Sequence, residues 1–133
     1  MYLDLTTNSS YNFKAPRIAS DADKKIEVVF PTHEAQAPTA GATIAVDINR
    51  QVTTIDLGEL AADATINATI SAHVERGAIV NLKAKSDGTA RDITLGTGFT
   101  APTMAGTISK TKVTTYIYDG TTFLPVAAAV QID

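Results

Sequence analysis

Two stretches decide the fold: Thr65-Ile66-Asn67-Ala68-Thr69-Ile70-Ser71-Ala72 and Ala78-Ile79-Val80-Asn81-Leu82-Lys83-Ala84-Lys85. In the first, Ile66, Ala68, Ile70 and Ala72 share one face of an extended chain, opposite Thr65, Asn67, Thr69 and Ser71. In the second, Ala78, Val80, Leu82 and Ala84 oppose Ile79, Asn81, Lys83 and Lys85. Side chains alternate faces along a strand, so both stretches predict half-buried antiparallel strands, wet on one side. Threonine suits the outer face, because its branched Cβ favours extended backbone while its hydroxyl stays solvated.

The same two-residue period extends upstream. Ile26, Val28 and Phe30 alternate before Pro31. Ala42, Ile44, Val46 and Ile48 alternate with Thr43, Ala45, Asp47 and Asn49, and Thr53, Ile55 and Leu57 continue the pattern. Turn residues fall where strands should reverse. Ser86-Asp87-Gly88-Thr89 precedes Ile93 and Leu95, and Asp119-Gly120 separates Val113–Tyr118 from Thr121–Val126. Asp-Gly between β-formers predicts a two-residue type I′ hairpin. That loop sets Tyr118 opposite Thr121, Ile117 opposite Thr122, Tyr116 opposite Phe123 and Thr115 opposite Leu124.

One hairpin face then carries Tyr116, Tyr118 and Phe123, and the other Val113, Ile117, Leu124 and Val126. Both faces are apolar, which predicts cover on both sides. Pro125 cannot donate to a ladder and places the last strand at an edge. The best helix candidate is the short run Gly58 to Ala64. Short strands every 8–12 residues favour an all-β, antiparallel β-sandwich or small barrel over an α/β design.

Residues 1 to about 23 show neither period and are rich in polar and turn residues. Such a stretch reads as a frayed terminus or, because Tyr2, Leu3, Leu5, Tyr11 and Phe13 are spaced through it, as an extended N-terminal arm that orders against a partner. Such an arm reaches up to roughly 75 Å. The expected organisation is an arm over 1–24 and a single β domain over 25–133.

Composition removes several function classes. The chain has 133 residues without Cys or Trp, and 41 of them are Ala (21) or Thr (20). Without cysteine, neither a disulfide framework nor a thiolate metal site can form. The net charge of −3 is dispersed, and Lys24-Lys25 sits among Asp21, Asp23 and Glu27. No basic stripe exists for nucleic acid and no apolar run is long enough for a membrane span, so neither is expected as a partner. Asp4, Asn8, Asn12 and Lys14 interrupt any signal-peptide core.

Catalytic, cofactor and metal motifs are near misses. His33-Glu34-Ala35-Gln36-Ala37 starts like the zinc motif H-E-x-x-H but ends in Ala, and Pro31 and Pro38 flank it. His73-Val74-Glu75 resembles the H-x-E of zinc deaminases, whose other ligands are cysteines. The two histidines read as ordinary surface or strand-end residues. Gly96-Thr97-Gly98-Phe99-Thr100-Ala101 fits a loose dinucleotide pattern, but Pro102 follows where a helix must start, so it reads as a turn or bulge. Asp21-x-Asp23 lacks the rest of a calcium loop. No G-x-S-x-G elbow is present, and no enzyme is expected.

The stretch from Val52 to Val126 resembles virion surface domains of tailed bacteriophages, chiefly head-decoration (auxiliary capsid) proteins and head-fibre modules. Three segments carry the resemblance: Thr54–Leu60, Lys83–Phe99 and Thr114–Phe123. It implies a small oligomeric β domain on the capsid exterior, assembled in the host cytoplasm, with the major capsid protein and other virion components as partners. It brings no catalytic residues. The expected function is a structural, cementing subunit anchored by Tyr2, Leu3, Leu5, Tyr11 and Phe13. The alternative is a head-fibre or receptor- and carbohydrate-binding module that presents Tyr116, Tyr118 and Phe123 as a hairpin surface.

Overall fold

In a computed structural model of the chain, residues 32–133 are described. They form nine strands: β1 (His33–Gln36), β2 (Thr43–Ile48), β3 (Val52–Leu60), β4 (Ala64–Ile70), β5 (Ile79–Ser86), β6 (Ile93–Leu95), β7 (Thr111–Tyr118), β8 (Phe123–Pro125) and β9 (Val130–Gln131). No helix occurs among the described residues. The expected arm and the alternating stretch Ile26–Phe30 lie outside them.

From β1 to β6 the chain steps alternately between two sheets. The larger has the order β1-β3-β5-β7-β8 with β9 also on β7, and the smaller has the order β2-β4-β6. Strands β1, β3 and β5 run parallel to one another, as do β2, β4 and β6. Only β7, β8 and β9 pair antiparallel. The all-β expectation therefore holds, whereas the antiparallel direction is corrected for the whole first part of the fold. Neither sheet closes on itself, so the barrel option is not realised.

The correction has a local cause. Alternation reports which face is buried and is blind to strand direction. Parallel strands need a long crossover, normally a helix that covers the sheet and leaves its strands apolar on both faces. Here the crossover is a strand of the other sheet: residues 49–63, which carry the route from β2 to β4, contain β3. Each sheet thus keeps a wet outer face. On β2, Thr43, Ala45 and Asp47 are exposed while Ile44, Val46 and Ile48 are buried.

Inward side chains of both sheets meet in one core. It contains Ile44, Val46 and Ile48 of β2, Ile55, Leu57 and Leu60 of β3, Ile66 and Ala68 of β4, Val80, Leu82 and Ala84 of β5, and Ile93 and Leu95 of β6. The expected inner face of β5 is buried in full, with Ala78 beside it. Fully burying an aliphatic side chain of this size contributes about 1.5–3 kcal/mol, so these alternating rows carry most of the stabilisation.

The Gly58–Ala64 helix is not formed. Strand β3 runs through Gly58 to Leu60, and the register on β5 passes from Asp56↔Lys83 to Glu59↔Lys85. One extra residue on β3 makes a bulge. Gly58 takes φ +64° there, and its N–H donates to Asp56 Oδ1 at 2.9 Å. The bulge resets the alternation so that Leu60, three positions after Leu57, turns back into the core.

The Gly-rich segment is a turn, as expected. Beyond β6 it continues to pair with β4: the Gly96 N–H donates to the Ile66 carbonyl at 2.8 Å, and the Ala68 N–H to the Thr97 carbonyl at 2.8 Å. A Cβ on Gly98, whose φ is +87°, would lie 2.8 Å from the Ala68 carbonyl oxygen. The close approach delivers Phe99 into the core.

Candidate functional site

The Asp119-Gly120 hairpin exists, with a different register. Tyr118 pairs with Phe123, Ile117 with Leu124 and Tyr116 with Pro125, so the loop is Asp119–Thr122. The Asp119 side chain explains the longer loop. Its Oδ1 accepts the N–H groups of Thr121 at 2.7 Å and Thr122 at 2.8 Å. Those bonds also hold the Asp119 carboxyl below the ordinary carboxylate range. A slip of two residues keeps every side chain on its predicted face. Strand β8 lies at the sheet edge, where Pro125 was expected to put it.

What covers those faces differs from expectation. Tyr116 and Phe123 are 2% and 0% exposed, and Tyr118 is half-buried. Phe99 meets Tyr116 edge-on at 5.3 Å between ring centroids and Phe123 at 5.8 Å, while Tyr118 and Phe123 lie 5.0 Å apart. Burial raises the Tyr116 hydroxyl to about 12. Tyr116 and Phe123 hold the hairpin onto the core, while Tyr118 keeps part of its ring at the surface. A buried ring cannot stack on a sugar.

The opposite, outer face is open. Ile117 is 42%, Val130 58%, Ile132 57% and Val126 61% exposed. A groove of about 480 Å³ lies on this side, with Val113, Val126, Ala127, Ala128 and Val130 among its lining residues. The expected cover on both sides of the hairpin is therefore absent among the described residues. Further along the same sheet the outer face turns polar. Lys83 pairs with Asp56 at 2.9 Å and Lys85 with Glu59 at 3.3 Å. Both pairs are exposed and contribute about 0–1 kcal/mol each.

A second concave region escaped the sequence reading. A cleft of about 500 Å³ is lined by His33, Glu34, Asn49, Arg50, Ser71 and His73. His33 and Glu34 come from β1, Asn49 and Arg50 from the turn between β2 and β3, and Ser71 and His73 from the segment after β4. Parallel winding places these three segments at one end of the sheets. Gln51 braces the rim: its Nε2 donates to the His73 carbonyl at 3.1 Å and its Oε1 accepts the Glu75 N–H at 3.3 Å. His33 Nε2 lies 3.1 Å from Thr54 Oγ1. Both histidines are exposed, as expected, His33 at the start of β1 and His73 in the turn after β4; their place in one cleft, 40 positions apart, has no sequence signal.

Among the described residues, no group of three His, Asp or Glu side chains could hold a metal ion. Tyr2, Leu3, Leu5, Tyr11 and Phe13 lie outside those residues. Compared with known protein families, characterised proteins and solved structures, the chain matches none.

Proposed function

We propose that this chain is a structural, non-enzymatic subunit of a virion surface that docks on the capsid exterior as a decoration or cementing protein. The observation that carries the reading is the open apolar row Ile117, Val126, Val130 and Ile132 beside the Val113 groove. Exposed large apolar side chains gathered on one side of a sheet, beside a groove, are the kind of surface an interaction site uses. A β body with one shared core is suited to a mounted subunit. The partners in this reading are the major capsid protein, other virion components and further copies of the chain, with assembly in the host cytoplasm. Tyr2, Leu3, Leu5, Tyr11 and Phe13 would add aromatic and aliphatic anchors of the kind interfaces favour. A sandwich-like packing of the two sheets fits the shared core.

Particle co-sedimentation tests the reading. The intact chain should pellet with capsids, and Val126→Asp should remain soluble while keeping its fold. A variant lacking residues 1–20 should keep the β fold and lose assembly. Undiminished pelleting of Val126→Asp would remove the apolar row from the interface.

A further inference from the structure

We infer that the cleft between β1, the β2–β3 turn and the segment after β4 is a weak binding site for an acidic monosaccharide, a sugar ring bearing one carboxylate. The site is separate from the outer apolar row and does not depend on what that row binds.

The chemistry of the lining selects the ligand class. Arg50 offers a guanidinium fork, which matches a carboxylate with two parallel hydrogen bonds. Glu34 faces the same space and accepts hydrogen bonds only, so it favours hydroxyl donors and repels a bare anion. Asn49, Ser71 and the rings of His33 and His73 can each donate and accept, the combination that a ring of hydroxyls satisfies. A lone phosphate would leave Glu34 opposed, and a neutral sugar would leave Arg50 without its anion. A volume of about 500 Å³ falls within the range of small-ligand sites. The rim is set before binding, because Gln51 holds both His73 and Glu75 through their backbone. Among the described residues, no Phe, Tyr or Trp lines the cleft, so the affinity rests on hydrogen bonds and the exposed Arg50–carboxylate pair and should be modest.

The chain's two histidines are both in this cleft, so the two imidazole C2–H proton signals report on it directly. The full-length protein is titrated at fixed pH with glucuronate, glucose, acetate and inorganic phosphate, each to about 50 mM, a range that captures millimolar dissociation constants. His33→Gln and His73→Gln assign the signals. Glucuronate should move both along one saturating curve. Arg50→Gln should weaken that curve at least tenfold and Arg50→Lys by less, each with an unchanged circular dichroism spectrum. Glucose, acetate and phosphate should give no saturation. Absence of a saturating shift with glucuronate overturns the proposal. So does an equal response to phosphate or acetate, which would make the cleft a general anion patch, or full binding by Arg50→Gln.

Discussion

Replacing Thr53 with valine should stabilise this protein. Thr53 lies in β3, between Glu34 of β1 and Val80 of β5 in the ladder, and its side chain is 0% exposed. Its Oγ1 is buried without a hydrogen-bond partner. Burying an unpartnered hydroxyl costs about 1–3 kcal/mol in proteins. Valine keeps the branched Cβ and puts a methyl where the hydroxyl was, so the backbone preference is unchanged. Allowing part of the gain to be lost to imperfect packing of the methyl, Thr53→Val should add about 1–2 kcal/mol. Urea unfolding followed by far-ultraviolet circular dichroism suits a chain without tryptophan. The midpoint should rise with an unchanged slope, the signature of a pure stability change. Thr53→Ser, which keeps the hydroxyl and loses the methyl, should be destabilised. A fall of about 1 kcal/mol or more in Thr53→Val would refute the reasoning, because it would mean that the hydroxyl is satisfied.

Other substitutions and conditions probe different parts of the fold. Gly98→Ala should cost about 2 kcal/mol or more in the same unfolding assay, since a positive φ and contact with the Ala68 carbonyl act together. Stability should fall as the solution becomes strongly alkaline. Tyr116 ionises near 10 when unfolded and about 12 when folded, so its contribution is complete below pH 10 and vanishes between pH 10 and 12. Tyr116→Phe should flatten that loss in a series of thermal melts. Acid acts with the opposite sign. Asp87, hydrogen-bonded by Arg91 and by the Thr89 N–H, and Asp56, hydrogen-bonded by Lys83, both have lowered carboxyl values. Their stabilisation is present above the ordinary carboxylate value and lost as pH falls through the folded one, so Asp87→Asn should weaken the acid dependence of the melting temperature.

Much of the architecture was legible because burial has a period. Ile44, Val46 and Ile48, and Val80, Leu82 and Ala84, could be assigned to the core from alternation alone, and Pro125 marked an edge because it lacks an N–H. Strand direction was not legible, since parallel and antiparallel strands alternate alike. The turn Ser86–Thr89 looked like a hairpin, yet it leads from one sheet to the other, with Asp87 held by the Arg91 guanidinium at 2.8–2.9 Å. The Gly58–Ala64 error had a related origin. Glu59, Leu60, Ala61 and Ala62 are good helix formers, and pairing of β3 with β5 through the bulge overrides that local preference. Loop length at Asp119 was misjudged because Asp-Gly signals a tight turn, whereas here the carboxylate folds over two following N–H groups.

Site features were less legible than the fold. Tyr116, Tyr118 and Phe123 were correctly placed on one face, but which face meets the core depends on Phe99 arriving from the Gly96–Gly98 turn. His33 and His73 line one cleft only because successive windings end at the same level.

Docking through the outer face of β7–β9 is tested most directly by cryo-electron microscopy of intact virions at a resolution that traces strands. If the chain is the proposed decoration subunit, density for this β unit lies on the capsid exterior, with Ile117, Val126, Val130 and Ile132 against a neighbouring subunit. Virions without that density, or with these four side chains facing solvent, would contradict that reading.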